Sequence, residues 1–401
     1  MIPVEAARSL ILEAVGPTPT EPTPLLAALG RALAEDVRAA TAHPPFDNSS
    51  MDGYAVRAAD LAPASEANPV WLPVVGEVAA GCGEPPTVGP GEACRIMTGA
   101  ILPPGADAVV MVEETREENG QVRFARPCRP GQSVRRAGED LAPGALVLEA
   151  GTALNAARLG LLAGVGRSHV PTHRAPRVAI LTTGDELVQP GEPLGPGQIY
   201  ASNAISLAGM VMEAGAVPVP VGVARDDREE TRRMVEEALA CDALITSGGV
   251  SMGRFDHVSE VLAAMGTVHF DRVAQQPGKP FTFATLAGKP VFGLPGNPAS
   301  ALVCFTCYVR PALRKMMGHR DLEGRRVRAK LDEAIRKPAG KTAFLRAVIE
   351  SGPDGYRARL TGSQSSGMMT SMARANALLV IPAERDGAQA GEAFEALLLS
   401  D

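Results

Sequence analysis

Between residues 176 and 320, short apolar runs alternate with helical spacings, and this rhythm restricts the fold more than any other feature of the chain. Runs at 178–181, 217–223, 243–245 and 267–273 read as strands. Stretches near 202–214, 228–240 and 258–265 carry helical periodicity. Alternation at these lengths implies an α/β domain with a doubly wound, mostly parallel sheet covered on both faces. Right-handed crossovers would bring the loops 182–186, 226–227 and 247–256 to one sheet edge. The last of these is the most telling. Ala243, Leu244 and Ile245 stop at Thr246-Ser247-Gly248-Gly249, and Ser251, Gly253 and Asp256 lead into a helix carrying Val258, Val261, Leu262 and Met265. Strand, glycine loop and helix make either an anion site at the strand ends or an ordinary tight turn, and the glycines alone leave both readings open.

Length implies further domains, since 401 residues exceed one ordinary core. The net charge of −6 argues against a general nucleic-acid binder while leaving room for a local basic pocket. The start MIPVEAARSL has no signal-peptide pattern, and no apolar run is long enough to span a bilayer. A soluble, cytoplasmic protein with no membrane segment is expected. Of six cysteines only Cys304 and Cys307 are spaced C-x-x-C, inside an apolar helical run, so buried thiols are expected rather than a zinc site.

Elsewhere, helical spacing at 3–15 is followed by a second expected helix from Pro24 through Leu25, Leu29, Leu33 and Val37. Residues 41–57 form a polar loop with Asp47 and Asp52. From 70 to 134 the texture is β, with Thr98 and Gly99 at a strand end. Residues 135–151 carry Glu139 and Asp140, and helical spacing returns at 153–163; the terminal and later helix pieces are expected to pack together. The division is 1–42 with 135–175, an inserted β-rich domain at 43–134, the α/β domain at 176–320 and a small β domain at 321–401. In the α/β domain, Pro295-Gly296-Asn297-Pro298 opens a helix at about 299–317 that Pro311 should kink, with free amides at its start beside Asn297 and Ser300.

Asp185, Glu186, Asp226, Asp227 and Asp256 all fall near expected strand ends. Several acids in one crevice need a counter-ion, and a hard cation such as Mg²⁺ shared with a substrate phosphate supplies one. Glu186, Asp226 and Asp256 are the candidate ligands. Lys279, after a glycine turn, offers a mobile positive charge for an oxyanion, and amides at Gly248, Gly249 and Asn297 would complete a phosphate cradle. Metal-assisted chemistry on a phosphorylated or nucleotide substrate follows; the alternative for each acid is a solvated cap or turn residue.

Six motifs then carry a resemblance. They are Asp47-Asn48-Ser49-Ser50-Met51-Asp52-Gly53-Tyr54-Ala55, Ile96-Met97-Thr98-Gly99-Ala100, Thr183-Gly184-Asp185-Glu186-Leu187, Ser247-Gly248-Gly249-Val250-Ser251-Met252-Gly253, Pro277-Gly278-Lys279-Pro280 and Leu294-Pro295-Gly296-Asn297-Pro298. In this order they resemble the MoeA/gephyrin E-domain family of molybdopterin molybdenumtransferases, and Ala373-Arg374-Ala375-Asn376-Ala377 extends the likeness into the last domain. The resemblance implies a MogA-like α/β domain, an elongated helical connecting domain, the inserted β-rich domain and a C-terminal β-barrel. It implies that adenylylated molybdopterin and molybdate give molybdenum cofactor and AMP, with Mg²⁺ involved. It also implies a homodimer whose active sites draw on both subunits.

Carried over by motif, Asp52, Thr98, Asp140, Glu186, Asp256 and Lys279 would be active-site residues. Ser247, Gly248, Gly249 and Ser251 would face the pterin phosphate or nucleotide, and Pro295, Asn297 and Pro298 would belong to the binding surface. Lys279, Pro280, Ser300, Arg346 and Ser366 would surround molybdate. Gln276 stands where family members commonly have lysine, which removes one positive charge there. The rival enzyme reading is the adenylyltransferase that makes the adenylylated pterin, a partner in a transient complex under the first reading. It typically has a Gly-Gly-Thr-Gly loop where this chain has Ser247-Gly248-Gly249-Val250-Ser251. A receptor-clustering scaffold, the third reading, would call for a further domain and linker.

Overall fold

The structure is a computed structural model that describes residues 1–249 and 257–399. It divides into two compact units, one of Met1–Glu35, Ala150–Asn155 and Val170–Asp401, the other of Asp36–Glu149 and Ala156–His169. No helix among the described residues is long and apolar enough to cross a membrane.

In the first unit, six strands form a sheet in the order Val217–Ala224, Arg177–Thr183, Ala243–Ser247, Lys289–Leu294, Pro280–Leu286 and Thr267–Arg272. The first four run parallel, and Pro280–Leu286 is antiparallel to both its neighbours. Alternating side chains divide the core in two, because successive strand residues point to opposite faces. Val178, Ile180, Ala243, Ile245 and Phe292 pack with Leu207 and Val211 of helix Ser202–Glu213. Ala179, Leu181, Leu244 and Val291 pack with helices Arg228–Ala238 and His257–Met265. Each large apolar side chain so buried contributes about 1.5–3 kcal/mol. The sheet is doubly wound, as expected.

The long helix near 299–317 is interrupted at the expected place. It runs as Pro298–Cys304, a π-helical turn Phe305–Val309, and Arg310–Met316. Pro311 has no N–H to give the carbonyl four residues earlier. That carbonyl, Cys307 O, accepts instead from Arg8 Nε at 3.3 Å. Cys304 and Cys307 are buried thiols, and burial pushes Cys307 up to about 12.

Two expectations fail here. The helix through Leu25, Leu29, Leu33 and Val37 does not form. Leu25–Ala28 makes a short 3-10 turn, Gly30 takes a positive φ of 78°, and Ala32 and Leu33 then bridge Ala153 and Thr172 as extended chain. Nor do the helix pieces fall in one unit. Helix Val4–Ala14 buries Val4, Ala7 and Ile11 in the α/β core, whereas Ala156–Gly164 belongs to the other unit.

A closed barrel completes the first unit. Thr342–Gly352, Gly355–Leu360, Arg326–Leu331, Ala393–Leu398 and Ala377–Ile381 pair in that order, and the last closes on the first. The two-residue strand Gln275–Gln276 joins the barrel edge, with Gln276 opposite Ala343. The second unit is built on a six-stranded sheet ordered Ala108–Met111, Gly53–Val56, Ala93–Ile96, Val70–Val78, Gln121–Phe124 and Thr115–Glu118.

Candidate active site

The chain leaves strand Arg177–Thr183 for Val217–Ala224 on one side, then crosses to Ala243–Ser247 on the other. At such a reversal the loops at the strand ends diverge and leave a crevice. Here it is a cavity of about 510 Å³, lined in part by Thr183, Gly184, Glu186, Asp226, Ser247, Gly248 and Gly249. Pro280, Pro295, Asn297 and Pro298 lie on its wall. The convergence expected from the sequence is present for residues 182–184, Glu186, Asp226 and 247–249, while 250–256 lie outside the described residues. Gly248 has a φ of 94°, and a Cβ there would meet Thr183 O at 2.7 Å, so only glycine allows this approach of two strand ends.

Asn203, which sequence reasoning missed, sits in the first turn of helix Ser202–Glu213 and lines the same crevice. Its Nδ2 donates to Ser247 Oγ at 2.9 Å and to Gly296 O at 2.8 Å. Its Oδ1 and the nearby Thr183 Oγ1 are buried without a partner among the described residues. Unpaired buried polar atoms are costly, and a ligand donor would relieve the cost. The signal available in the sequence was its place at a helix start on the strand-end edge.

Of the acids, Glu186 and Asp226 line the crevice, and Asp185 Oδ1 accepts from Asp226 N at 3.2 Å. Asp227 is a helix cap, its Oδ1 accepting from Glu230 N at 2.7 Å. Ser251 and Asp256 lie outside the described residues. No group of three His, Cys, Asp or Glu residues among the described residues is placed to hold a metal.

A second cavity, of about 420 Å³, shares Pro280, Pro295 and Asn297 with the first. Gln276, Lys279, Ser300, Arg346 and Ser366 all line it, together with Lys341. Arg346 is wholly buried, and no carboxylate among the described residues lines the cavity. Its Nε donates to Ser371 Oγ at 3.0 Å and its Nη2 to Ser363 O and Ser365 O, while Nη1 has no partner among the described residues. Burial without a counter-ion lowers its pKa. The Lys279 loop is braced from beneath, since Gln275 Nε2 donates to Pro277 O at 3.1 Å and Gly278 O at 3.2 Å. The helix start beside Asn297 offers fewer free amides than expected. Pro298 has no N–H, and Ala299 N donates to Ser366 O at 3.0 Å. That bond instead places Ser366.

In the second unit, Asp52 and Thr98 meet. Asp52 Oδ1 accepts from both Thr98 Oγ1 and Thr98 N at 2.6 Å. The Thr98 hydroxyl, then its amide, hold the Asp52 carboxyl below the ordinary aspartate range. Asp140 is joined to His43, its amide donating to His43 O at 3.1 Å and its carboxylate lying 4.0 Å from His43 Nε2.

Family models match the chain in three parts: the MoeA N-terminal region (domain I and II) over residues 2–166, a probable molybdopterin binding domain over 179–315, and the MoeA C-terminal region (domain IV) over 328–399. The chain is 42% identical over 369 residues to molybdopterin molybdenumtransferase 2 of Mycobacterium tuberculosis, covering 90% of each. It is 40% identical over 370 residues to the molybdopterin molybdenumtransferase of a Nostoc species, covering 90% of this chain and 85% of that one. A crystal structure of the molybdopterin biosynthesis MoeA protein from Pyrococcus horikoshii OT3 superposes with a TM-score of 0.87 at 33% identity, over 99% of this chain and all of that one. With its switch-point crevice and adjoining basic pocket, and with relatives alike over most of their length, the chain belongs to the MoeA family of molybdopterin molybdenumtransferases.

Proposed function

We propose that this chain is itself a molybdopterin molybdenumtransferase, taking adenylylated molybdopterin and molybdate to molybdenum cofactor and AMP. The observation that carries the reading is Arg346, buried beside the strand-end crevice with, among the described residues, no partner for Nη1 and no carboxylate lining its pocket. A buried cation without a counter-ion awaits an anion. Molybdate carries two negative charges, and Lys279, Ser300 and Ser366 supply further donors around the same pocket. Through Pro280, Pro295 and Asn297 the oxyanion pocket opens beside the crevice assigned to the pterin phosphate and nucleotide.

In the crevice, Ser247, Gly248 and Gly249 lie against the phosphate-bearing part, and Asn203 orients it through its unpaired Oδ1. Glu186 and Asp226 would hold a hard divalent cation such as Mg²⁺, with substrate phosphate oxygens as further ligands. The cation would neutralise charge on the phosphoryl oxygens as AMP leaves. The proposal includes the four-part domain division, a cytoplasmic homodimer, and Asp52, Thr98 and Asp140 as active-site residues. It also includes transient contact with the adenylyltransferase that supplies the substrate.

The test is purified protein with adenylylated molybdopterin, Mg²⁺ and molybdate, following AMP and cofactor, with Glu186→Ala and Lys279→Ala alongside. Molybdate-dependent AMP release that disappears in both variants is the expected result. Tight nucleotide binding with no release on adding molybdate would overturn the reading.

A further inference from the structure

We propose that Lys341 is a third cationic arm of the oxyanion pocket and provides the charge that Gln276 does not. The inference rests on the reading of that pocket as the molybdate site and adds a residue that neither the motifs nor the charge argument from the sequence had singled out. Lys341 is half-buried and lines the pocket with Lys279 and Arg346. Its ammonium makes no hydrogen bond or ion pair among the described residues, although the chain is rich in acids, with 45 Asp and Glu against 39 Lys and Arg. The neighbouring lysine is differently employed. Lys337 Nζ is spent on backbone carbonyls, donating to Lys341 O at 2.9 Å and also to Pro338 O and Arg385 O. It thereby fixes the turn that carries Lys341.

The backbone also sets where Lys341 stands relative to the loop it would complement. Thr342 N donates to Ala274 O at 2.9 Å, and Gln276 lies opposite Ala343 in the parallel pairing that follows. Lys341 is therefore held within two residues of Gln276's partner. Arg346 lies further along the same strand, Thr342–Gly352. Three positive charges converge from the Lys279 loop, the Lys341 turn and the barrel wall, with no lining carboxylate among the described residues to offset them. Such an arrangement repels itself when empty and is relieved by a doubly charged oxyanion better than by a singly charged one. Gln276 contributes a neutral donor to the same wall.

The experiment is equilibrium dialysis with sodium molybdate on the full chain, comparing wild type, Lys341→Met, Lys341→Arg and the double variant Lys341→Met with Gln276→Lys. Losing one charge-assisted contact should weaken molybdate binding about tenfold or more. Lys341→Arg should hold wild-type affinity, and Gln276→Lys should restore most of what Lys341→Met loses. In turnover the loss should fall on the KM for molybdate and leave kcat unchanged, and AMP affinity should not move. Circular dichroism of each variant separates lost binding from lost folding, and Lys341→Gln, which also removes the charge, reads it with the same expected loss if the methionine variant does not fold. Wild-type binding matched by Lys341→Met overturns the inference while leaving the molybdate site in place. A wild type that binds no molybdate overturns both.

Discussion

Asn203 Nδ2 donates at once to Ser247 Oγ and to Gly296 O, so one amide ties the first turn of a helix to the end of one strand and to the loop after its neighbour. The same side chain is left with its Oδ1 buried and, among the described residues, unpaired at the crevice. Asn203→Ala should weaken binding of AMP or the adenylylated pterin about tenfold, because a buried acceptor–donor pair with the ligand is lost. Calorimetric titration with AMP measures it. An unchanged affinity would show that the ligand does not use that oxygen.

Among the described residues Arg346's side chain donates only to neutral groups, of Ser371, Ser363 and Ser365, and it lines the second pocket. A ligand that binds only the folded state stabilises it by mass action, about 2.7 kcal/mol at a hundredfold excess over Kd. Molybdate should therefore raise the melting temperature of the wild type and leave Arg346→Met unmoved. An equal rise in both would remove Arg346 from the anion site.

Asp242 stands at the head of the strand that ends in Ser247. It accepts from Arg174 Nη1 at 2.9 Å and Nη2 at 2.7 Å, and from Arg177 N at 2.7 Å. Burial works to raise its pKa, but the Arg174 bonds and the Arg177 amide outweigh it, and the net shift is downward. A carboxyl lowered in the folded state adds stability above its unfolded pKa and loses it as pH falls through the folded value. Asp242→Asn should cost about 1–2 kcal/mol at pH 7, and the gap to wild type should close as acid titrates the native carboxylate. Urea unfolding at pH 7 and at successively lower pH checks both the size and the sign.

Gly248→Ala would force a Cβ to within 2.7 Å of Thr183 O at a φ of 94°. The strain should cost about 1–3 kcal/mol and push apart the two strand ends that form the crevice. Nucleotide binding should fall with stability in this variant, whereas Gly144→Ala, at a φ of 81° with open space around it, should cost stability alone. Loss of nucleotide binding in both would mean that the crevice is not the site affected.

The sequence by itself determined the doubly wound sheet and its loops, because residues 178–181 and 243–245 must alternate between two cores wherever they pair. It also determined the buried Cys304-x-x-Cys307 and the break before Pro311, since apolar context and a missing N–H are local facts. It misjudged Leu25, Leu29 and Leu33, whose spacing suits a helix. Tertiary structure decided otherwise, by bridging Ala32 to Ala153 and Leu33 to Thr172, more than a hundred positions away. The same holds for the site. Whether Arg346 has a counter-ion, whether Asn203 keeps an unpaired oxygen and whether Lys341 faces an ion partner depend on atoms brought near by other segments. Hydrogen-bond satisfaction is a property of the packed neighbourhood, and no local pattern in the chain encodes it.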